Sequence, residues 1–258
     1  MFFDDDIKFC ASLLKESDPL RFRSIMAAPK KLRPYYFVIF AFNVEVSRAP
    51  YLTKEPLIAE IRLQWWLDVL DEIIGEKAVR KHAVATPLSK CIGKSQAKIL
   101  KKFVLARNWD IYSDEFDSLT ELKKYLYDTT GILFQVAAGS NLVTTSKYFH
   151  DACMAVALAN YLTAAPELKR AGKLPFAGLS PIEIGEQCKV AMANLKTAKS
   201  HMRNFTERER WLLFTGWKSE KILTKISRNP ENLESIVSKL ENQRMTFTFV
   251  SKAILKTF

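Results

Sequence analysis

The chain has 258 residues, 48% hydrophobic and 26% charged, which is enough apolar material for one large core or two small ones. Only 8 residues are Gly, which argues against a strand-and-turn architecture and against Gly-rich phosphate loops. The 39 basic and 28 acidic residues give a net charge of +11, a surface that attracts phosphates, nucleic acid or anionic lipid headgroups.

The first six residues, Met1-Phe2-Phe3-Asp4-Asp5-Asp6, start aromatic and acidic. A signal peptide starts basic and then runs apolar, and a transit peptide is poor in acids, so neither is read here. The acids serve as helix-start charge. The densest apolar run, Tyr35 to Phe42, is far shorter than the roughly 20 residues needed to span a bilayer. A soluble, cytoplasmic protein is expected, peripheral at most on the inner membrane face. From Leu57 to Ile74, Ile58, Ile61, Trp65, Val69 and Ile73 recur every three or four residues, and Glu60, Gln64, Asp68 and Asp71 form a second, polar stripe. From Leu119 to Ala138, the residues Leu122, Tyr125, Leu126, Thr129, Ile132, Leu133 and Val136 form another helical face. Ser118 with Glu121, Ser180 with Glu183, and Thr206 with Glu209 fit the capping box, and Pro181 takes the favoured first helical position. Asn229-Pro230 opens a further helix. Breaks fall near Ser17-Asp18-Pro19, Ala49-Pro50, Ala85-Thr86-Pro87, Val143-Thr144-Thr145, and from Gly172 to Pro181. None is long enough to separate domains, so residues 1–258 read as one helical domain of about eight to eleven helices.

The four cysteines, Cys10, Cys91, Cys153 and Cys188, lie far apart with no C-x-x-C pair and read as reduced, mostly buried thiols. His82, His150 and His201 are too widely spaced for a zinc pattern. The basic residues are scattered along helical segments, which reads equally as a solvated surface or a functional patch. No helix-turn-helix, zinc or RNA-recognition signature accompanies them, so no specific nucleic acid is expected.

The most informative stretch runs from Arg21 to Glu72. It holds Arg21-Phe22-Arg23, Ala28-Pro29-Lys30-Lys31-Leu32-Arg33-Pro34, Phe40-Ala41-Phe42-Asn43-Val44-Glu45, Glu55-Pro56 and Glu60-Ile61-Arg62-Leu63-Gln64-Trp65-Trp66. These segments resemble the amino-terminal half of squalene/phytoene synthases, above all a bacterial branch similar to the mitochondrial complex I assembly factor related to phytoene synthase. The resemblance continues through Trp109-Asp110, Tyr125 to Gly131, and Leu158 to Leu174, and fades beyond about residue 180. It implies an all-α, prenyl synthase-like bundle with a central cavity. Active members join two prenyl diphosphates head to head, and Mg²⁺ held on two aspartate-rich motifs neutralises the departing diphosphate.

This sequence departs from the family at both motifs. The first motif's aspartate positions fall on Ser47, Arg48 and Tyr51, after Asn43-Val44 in place of Cys-Arg. In the second, Asn160 is kept, the arginine is Thr163, and the aspartates are Ala164 and Leu168. Gly172 is kept, followed by Leu174-Pro175. A cation such as Arg48 repels Mg²⁺ at contact range. No catalytic residue is therefore expected. The resemblance places Arg33, Asn43, Arg48, Gln64, Tyr125, Thr129 and Asn160 around the relic pocket as ligand-binding residues. No metal site is expected, with Asp68, Asp71 and Glu167 as the remaining candidates.

Several residues admit two readings. Asp68, Asp71 and Glu72 form either a substitute metal site or a salt-bridged helix end paired with Arg62 and nearby lysines. The second is preferred, because a metal normally needs ligands from another element too. Glu60, Gln64 and Asp68 either line the relic pocket, partnered by Arg33, Arg48 or Arg62, or form a solvent face. Trp65-Trp66 read as core and flank. Tyr125, Tyr127, Thr129 and Gly131 match the segment that lines the family's prenyl tunnel, or are ordinary core. Asp114, Glu115 and Asp117 read as a surface loop.

The resemblance implies a non-catalytic protein that binds an isoprenoid lipid or a partner at an anionic membrane surface, assisting assembly of respiratory complex I and needing no cofactor. The alternative is an active, Mg²⁺-dependent prenyltransferase with displaced metal ligands. A third reading holds a prenyl diphosphate without metal, with Arg48 as its counter-charge.

Overall fold

The computed structural model describes residues 4–112, 115–139, 146–176 and 178–241, with Phe249, Lys252 and Ala253 beyond them. The described residues are helical, without strands, and the fold class is all-α. They divide into two compact units, Met1–Tyr112 with Ile132–Ser140, and Ser113–Gly131 with Asn141–Phe258. The chain passes between the units three times, so no single break in the sequence separates them.

The first unit contains α1 (Asp5–Ser17), α2 (Pro19–Ala27), α3 (Arg33–Arg48), α4 (Pro56–Ile74), α5 (Ala85–Cys91), α6 (Lys94–Ala106), α7 (Asn108–Tyr112) and, after the chain returns, α9 (Ile132–Ala138). Helix α3 packs on α1, and α4 packs on α6. The apolar run from Tyr36 to Phe42 in α3 is fully buried. Phe42 meets the Trp66 ring at 5.2 Å and the Phe103 ring at 5.6 Å, and Phe40 meets Phe134 edge-on at 6.2 Å. These rings tie α3, α4, α6 and α9 into one core. The amino-terminal acids act as expected: Asp4 Oδ1 accepts from the Ile7 amide at 2.9 Å, and Asp5 and Asp6 fill the first turn of α1. Asp18 caps α2 by accepting from the Arg21 amide at 3.0 Å, with Pro19 in the first turn.

The second unit contains α8 (Leu119–Leu126), α10 (Lys147–Arg170), α11 (Pro181–Ser200), α12 (Glu207–Phe214), α13 (Ser219–Arg228) and α14 (Leu233–Glu241). Helix α11 packs on α10 and α13, and α12, α13 and α14 pack on α10. Phe116, Tyr125 and Tyr161 form a ring triad at 5.5–6.0 Å, and the Tyr161 hydroxyl donates to the Pro175 carbonyl at 3.1 Å.

Two of the three expected capping boxes are complete. The Glu183 amide donates to Ser180 Oγ at 3.2 Å while the Ser180 amide donates to Glu183 Oε2 at 2.9 Å. The corresponding distances at Thr206 and Glu209 are 3.2 and 2.7 Å. Ser118 accepts from the Glu121 amide, but the Glu121 carboxylate takes the Asp117 amide instead. Pro230 opens a single 3₁₀ turn, and α14 starts only at Leu233. The break expected near Ala85 falls earlier, over residues 75–84, because Pro87 sits in the first turn of α5, where its missing N–H costs nothing. The break at Val143-Thr144-Thr145, and Asp114, lie outside the described residues.

Two helical faces differ from expectation. In α4 the buried side is Ala59, Leu63, Trp66, Val69, Leu70 and Ile73, whereas Ile58 is 44% and Ile61 60% exposed. The helix is apolar on more than one side, so spacing alone offers two core stripes and does not choose between them. The expected face from Leu122 to Val136 is buried, but it is not one helix. A π-turn over Tyr127–Gly131 separates α8 from α9.

Candidate functional site

The first motif's positions lie at the carboxyl end of α3 and in the 3₁₀ turn Ala49–Tyr51. The Ser47 hydroxyl turns back onto the Asn43 carbonyl of its own helix, and Asn43 itself is half-buried. Arg48 is exposed in the last turn of α3, where a cation complements the helix dipole. The Tyr51 hydroxyl bonds to the Asp110 carboxylate; loss of water around it, with that negative charge beside it, pushes its pKa up. Asp110 is buried and paired with Arg107 at 3.1 Å. Thus the three positions carry a hydroxyl, a guanidinium and a phenol. Arg33 Nε donates to the Ala28 carbonyl at 2.7 Å, tying α3 to the end of α2.

Helix α4 holds the acidic string. Gln64 is exposed and donates to Asp68 Oδ1 at 2.8 Å, and Glu60 accepts from the Tyr112 hydroxyl. Arg80 grips Glu72 through Nε at 2.9 Å, Nη2 at 2.6 Å and its own amide at 3.1 Å, and lies 3.7 Å from Asp68. This grip holds the Glu72 carboxyl below the usual carboxylate range. Asp71 accepts from Lys101 at 2.7 Å. The partners are therefore Arg80 and Lys101 rather than Arg62. Trp66 is core; Trp65 is half-buried, with His82 at 5.0 Å and the Arg80 guanidinium 5.5 Å from its ring.

The second motif's positions lie on α10. Asn160 is half-buried, Thr163 donates its hydroxyl to the Ala159 carbonyl at 2.8 Å, and Ala164 is exposed. Glu167 pairs with Arg170 on its own helix, and Lys169 with Glu234 of α14 at 2.6 Å. Tyr125 and Thr129 are buried, and the Thr129 hydroxyl donates to the Tyr125 carbonyl at 2.6 Å. Among the described residues, no three His, Cys, Asp or Glu side chains gather where one ion would bridge them.

One recess in the second unit was not legible in the sequence. A cleft of about 460 Å³ runs between α8, α10 and α11. Leu119, Leu122 and Leu126 form one wall, Met154 and Leu158 the second, and Val190 the third. Ala155 and Ala191 form the floor, and Tyr127 enters from the π-turn. Its signal is the apolar stripe of α8 flanked by Lys123 and Lys124, but the walls come from segments some 30 to 70 residues apart in the numbering.

Comparison with known proteins fits this geometry. The model of the squalene/phytoene synthase family matches residues 14–184. The chain is 32% identical over 129 residues to the NADH dehydrogenase (ubiquinone) complex I, assembly factor 6 homolog of Drosophila melanogaster, a match covering 47% of this chain and 38% of the relative. It is 24% identical over 128 residues to NADH dehydrogenase (ubiquinone) complex I, assembly factor 6 of Bos taurus, covering 49% of this chain and 38% of the relative. The matches thus span well under half the length of either relative. A crystal structure of a dehydrosqualene synthase in complex with ligand superposes with a TM-score of 0.72 at 13% identity, covering 92% of this chain and 97% of that one. The squalene synthase HpnC from Alicyclobacillus acidocaldarius gives 0.69 at 16% identity, covering 88% and 94%. At such identities the likeness is one of fold. Because the family model spans well over half the sequence, the chain belongs to the squalene/phytoene synthase family.

Proposed function

We propose that this chain is a non-catalytic member of its family that assists assembly of respiratory complex I. The observation that carries the reading is the side-chain chemistry at the motif positions. Ser47, Arg48 and Tyr51 in the first motif, and Thr163, Ala164 and Leu168 in the second, offer no carboxylate. Mg²⁺ is a hard ion that takes oxygen ligands, usually one or two of them carboxylates, so this donor set does not suit it. Asp110, which touches Tyr51, is paired with Arg107, and the other candidate acids are engaged too: Asp71 by Lys101, Glu72 by Arg80, and Glu167 by Arg170. No step through a metal-bound diphosphate is derived from such a set. The relatives named as complex I assembly factors support the choice of process.

A second observation favours a docking role over turnover. Leu57 and Ile61 are 68% and 60% exposed at the start of α4, and Leu52, five residues before Leu57 in the chain, is exposed too. Exposed Arg48, Lys54 and Arg62 lie close by in the chain. An apolar patch beside cations suits a partner subunit or an anionic membrane face.

The test has two arms. Purified protein with Mg²⁺ and either farnesyl or geranylgeranyl diphosphate is expected to release no pyrophosphate and to form no C30 or C40 condensation product above background. A strain lacking the chain is expected to hold less assembled complex I. Product formation, or a normal complex I level in the deletion strain, overturns the reading.

A further inference from the structure

We propose that the cleft between α8, α10 and α11 is a binding site for a single-chain amphiphile with a compact anionic head. The site is separate from the family's diphosphate positions. On an α-helix Thr163 stands about 180° from Met154, and Asn160 about 200° from Leu158. Thr163 and Asn160 thus point away from Met154 and Leu158, while Leu168, which falls in line with His150, stands about 15 Å beyond Leu158 along the axis.

Three features define the ligand. The volume of about 460 Å³ falls in the range of small-molecule sites. The walls are leucine, methionine and valine, and the floor is two alanines, so the interior rewards an apolar chain. The polar side chains of the lining are Lys123, Lys124, Gln187, Asn194 and His150. Asp128 pairs with Lys124, and Asp151 lies 3.5 Å from His150, while Lys123 makes no ion pair among the described residues. Lys123 is thus the cation left to meet a head group, with the Gln187 and Asn194 amides as further donors. A carboxylate or phosphate monoester fits; a cationic head meets Lys123 as a like charge. Fatty acids and isoprenoid monophosphates share this chemistry. The inference is independent of the role in complex I assembly.

Calorimetry on the full chain, below micellar concentrations, separates these sources. Oleate and farnesyl monophosphate are titrated beside oleyl alcohol and dodecyltrimethylammonium. One anion at least is expected to bind with 1:1 stoichiometry, and the tighter of the two identifies the source. Lys123→Glu is expected to weaken it about tenfold or more, the worth of one charge-assisted contact, while leaving the alcohol unchanged. Ala191→Leu is expected to abolish binding by filling the floor. Val190→Trp, at a position already 51% exposed, obstructs the mouth without a demand on the core and covers the case in which Ala191→Leu does not fold. Lack of saturable binding by either anion overturns the proposal. So does binding that survives Lys123→Glu and Val190→Trp alike, or equal binding of the cationic amphiphile.

Discussion

At the residue scale, the acids of α4 are held by specific cations, and the consequence is measurable. Glu72 accepts three hydrogen bonds from Arg80, which depress its carboxyl pKa from the ordinary 4.5. A depressed folded-state value means that the pair contributes stability above 4.5 and loses it as pH falls through the lowered value. Glu72→Gln is therefore expected to melt below the parent at pH 7, with the two curves converging on acidification below 4.5. Melting temperatures across that range check it; a gap that widens in acid refutes the assignment. A second residue sits under tighter steric control. A Cβ on Gly216 stands 2.5 Å from Val156 Cγ2 and 2.6 Å from Cγ1, both on a fully buried, β-branched side chain with little room to turn. Gly216→Ala is expected to cost about 1–3 kcal/mol, read as a lowered midpoint in urea unfolding. An unchanged midpoint shows that α10 yields at Val156.

At the element scale, helix starts were legible because their chemistry is local. A hydroxyl and a carboxylate three residues apart satisfy each other's orphan amides whatever the rest of the chain does, and Ser180 and Thr206 do so. Glu209, buried in its box, has little solvent to fall back on, whereas Ser180 and Glu183 are exposed. Thr206→Ala is accordingly expected to destabilise by about 1–2 kcal/mol, and Ser180→Ala by less, in parallel denaturant titrations. Equal losses mean that burial of the cap is immaterial. The faces of α4 and the break after α8 were not legible, because they depend on tertiary neighbours. Ala59 and Leu63 rather than Ile58 and Ile61 turn inward, and only packing reveals which of two apolar sides meets the core. The π-turn at Tyr127–Gly131 interrupts a run whose apolar positions fit an unbroken helix equally well.

At the scale of the whole molecule, fold class and family were readable from ordered motifs spread over the first two-thirds of the chain, and the match over residues 14–184 covers that stretch. What the candidate site lacks was readable too, since a missing carboxylate is a fact of sequence. The partners that engage the remaining acids were not. Arg80 and Lys101 reach α4 from a loop and from α6, at distances along the chain that no periodicity links. The cleft beside α10 escaped for the same reason, its walls being drawn from three separate helices. No described helix is long and apolar enough to cross a membrane. Under the proposed assembly role, exposed Leu57 and Ile61 at the start of α4, with Leu52 before it, are the side chains offered to a partner.

The four thiols give this architecture a built-in record of its own integrity. Cys10, Cys153 and Cys188 are buried and Cys91 is half-buried, and removal from water lifts the Cys10, Cys91 and Cys188 pKa values to about 12 and that of Cys153 well above the ordinary 9.0. Alkylating agents and oxidants attack the thiolate, so the folded chain offers them almost no target at neutral pH. Opening of α1, α5, α10 or α11 exposes the thiol that helix carries, and covalent damage accumulates with the time spent open. A cell under oxidative load would thus mark first the copies that had failed to stay closed.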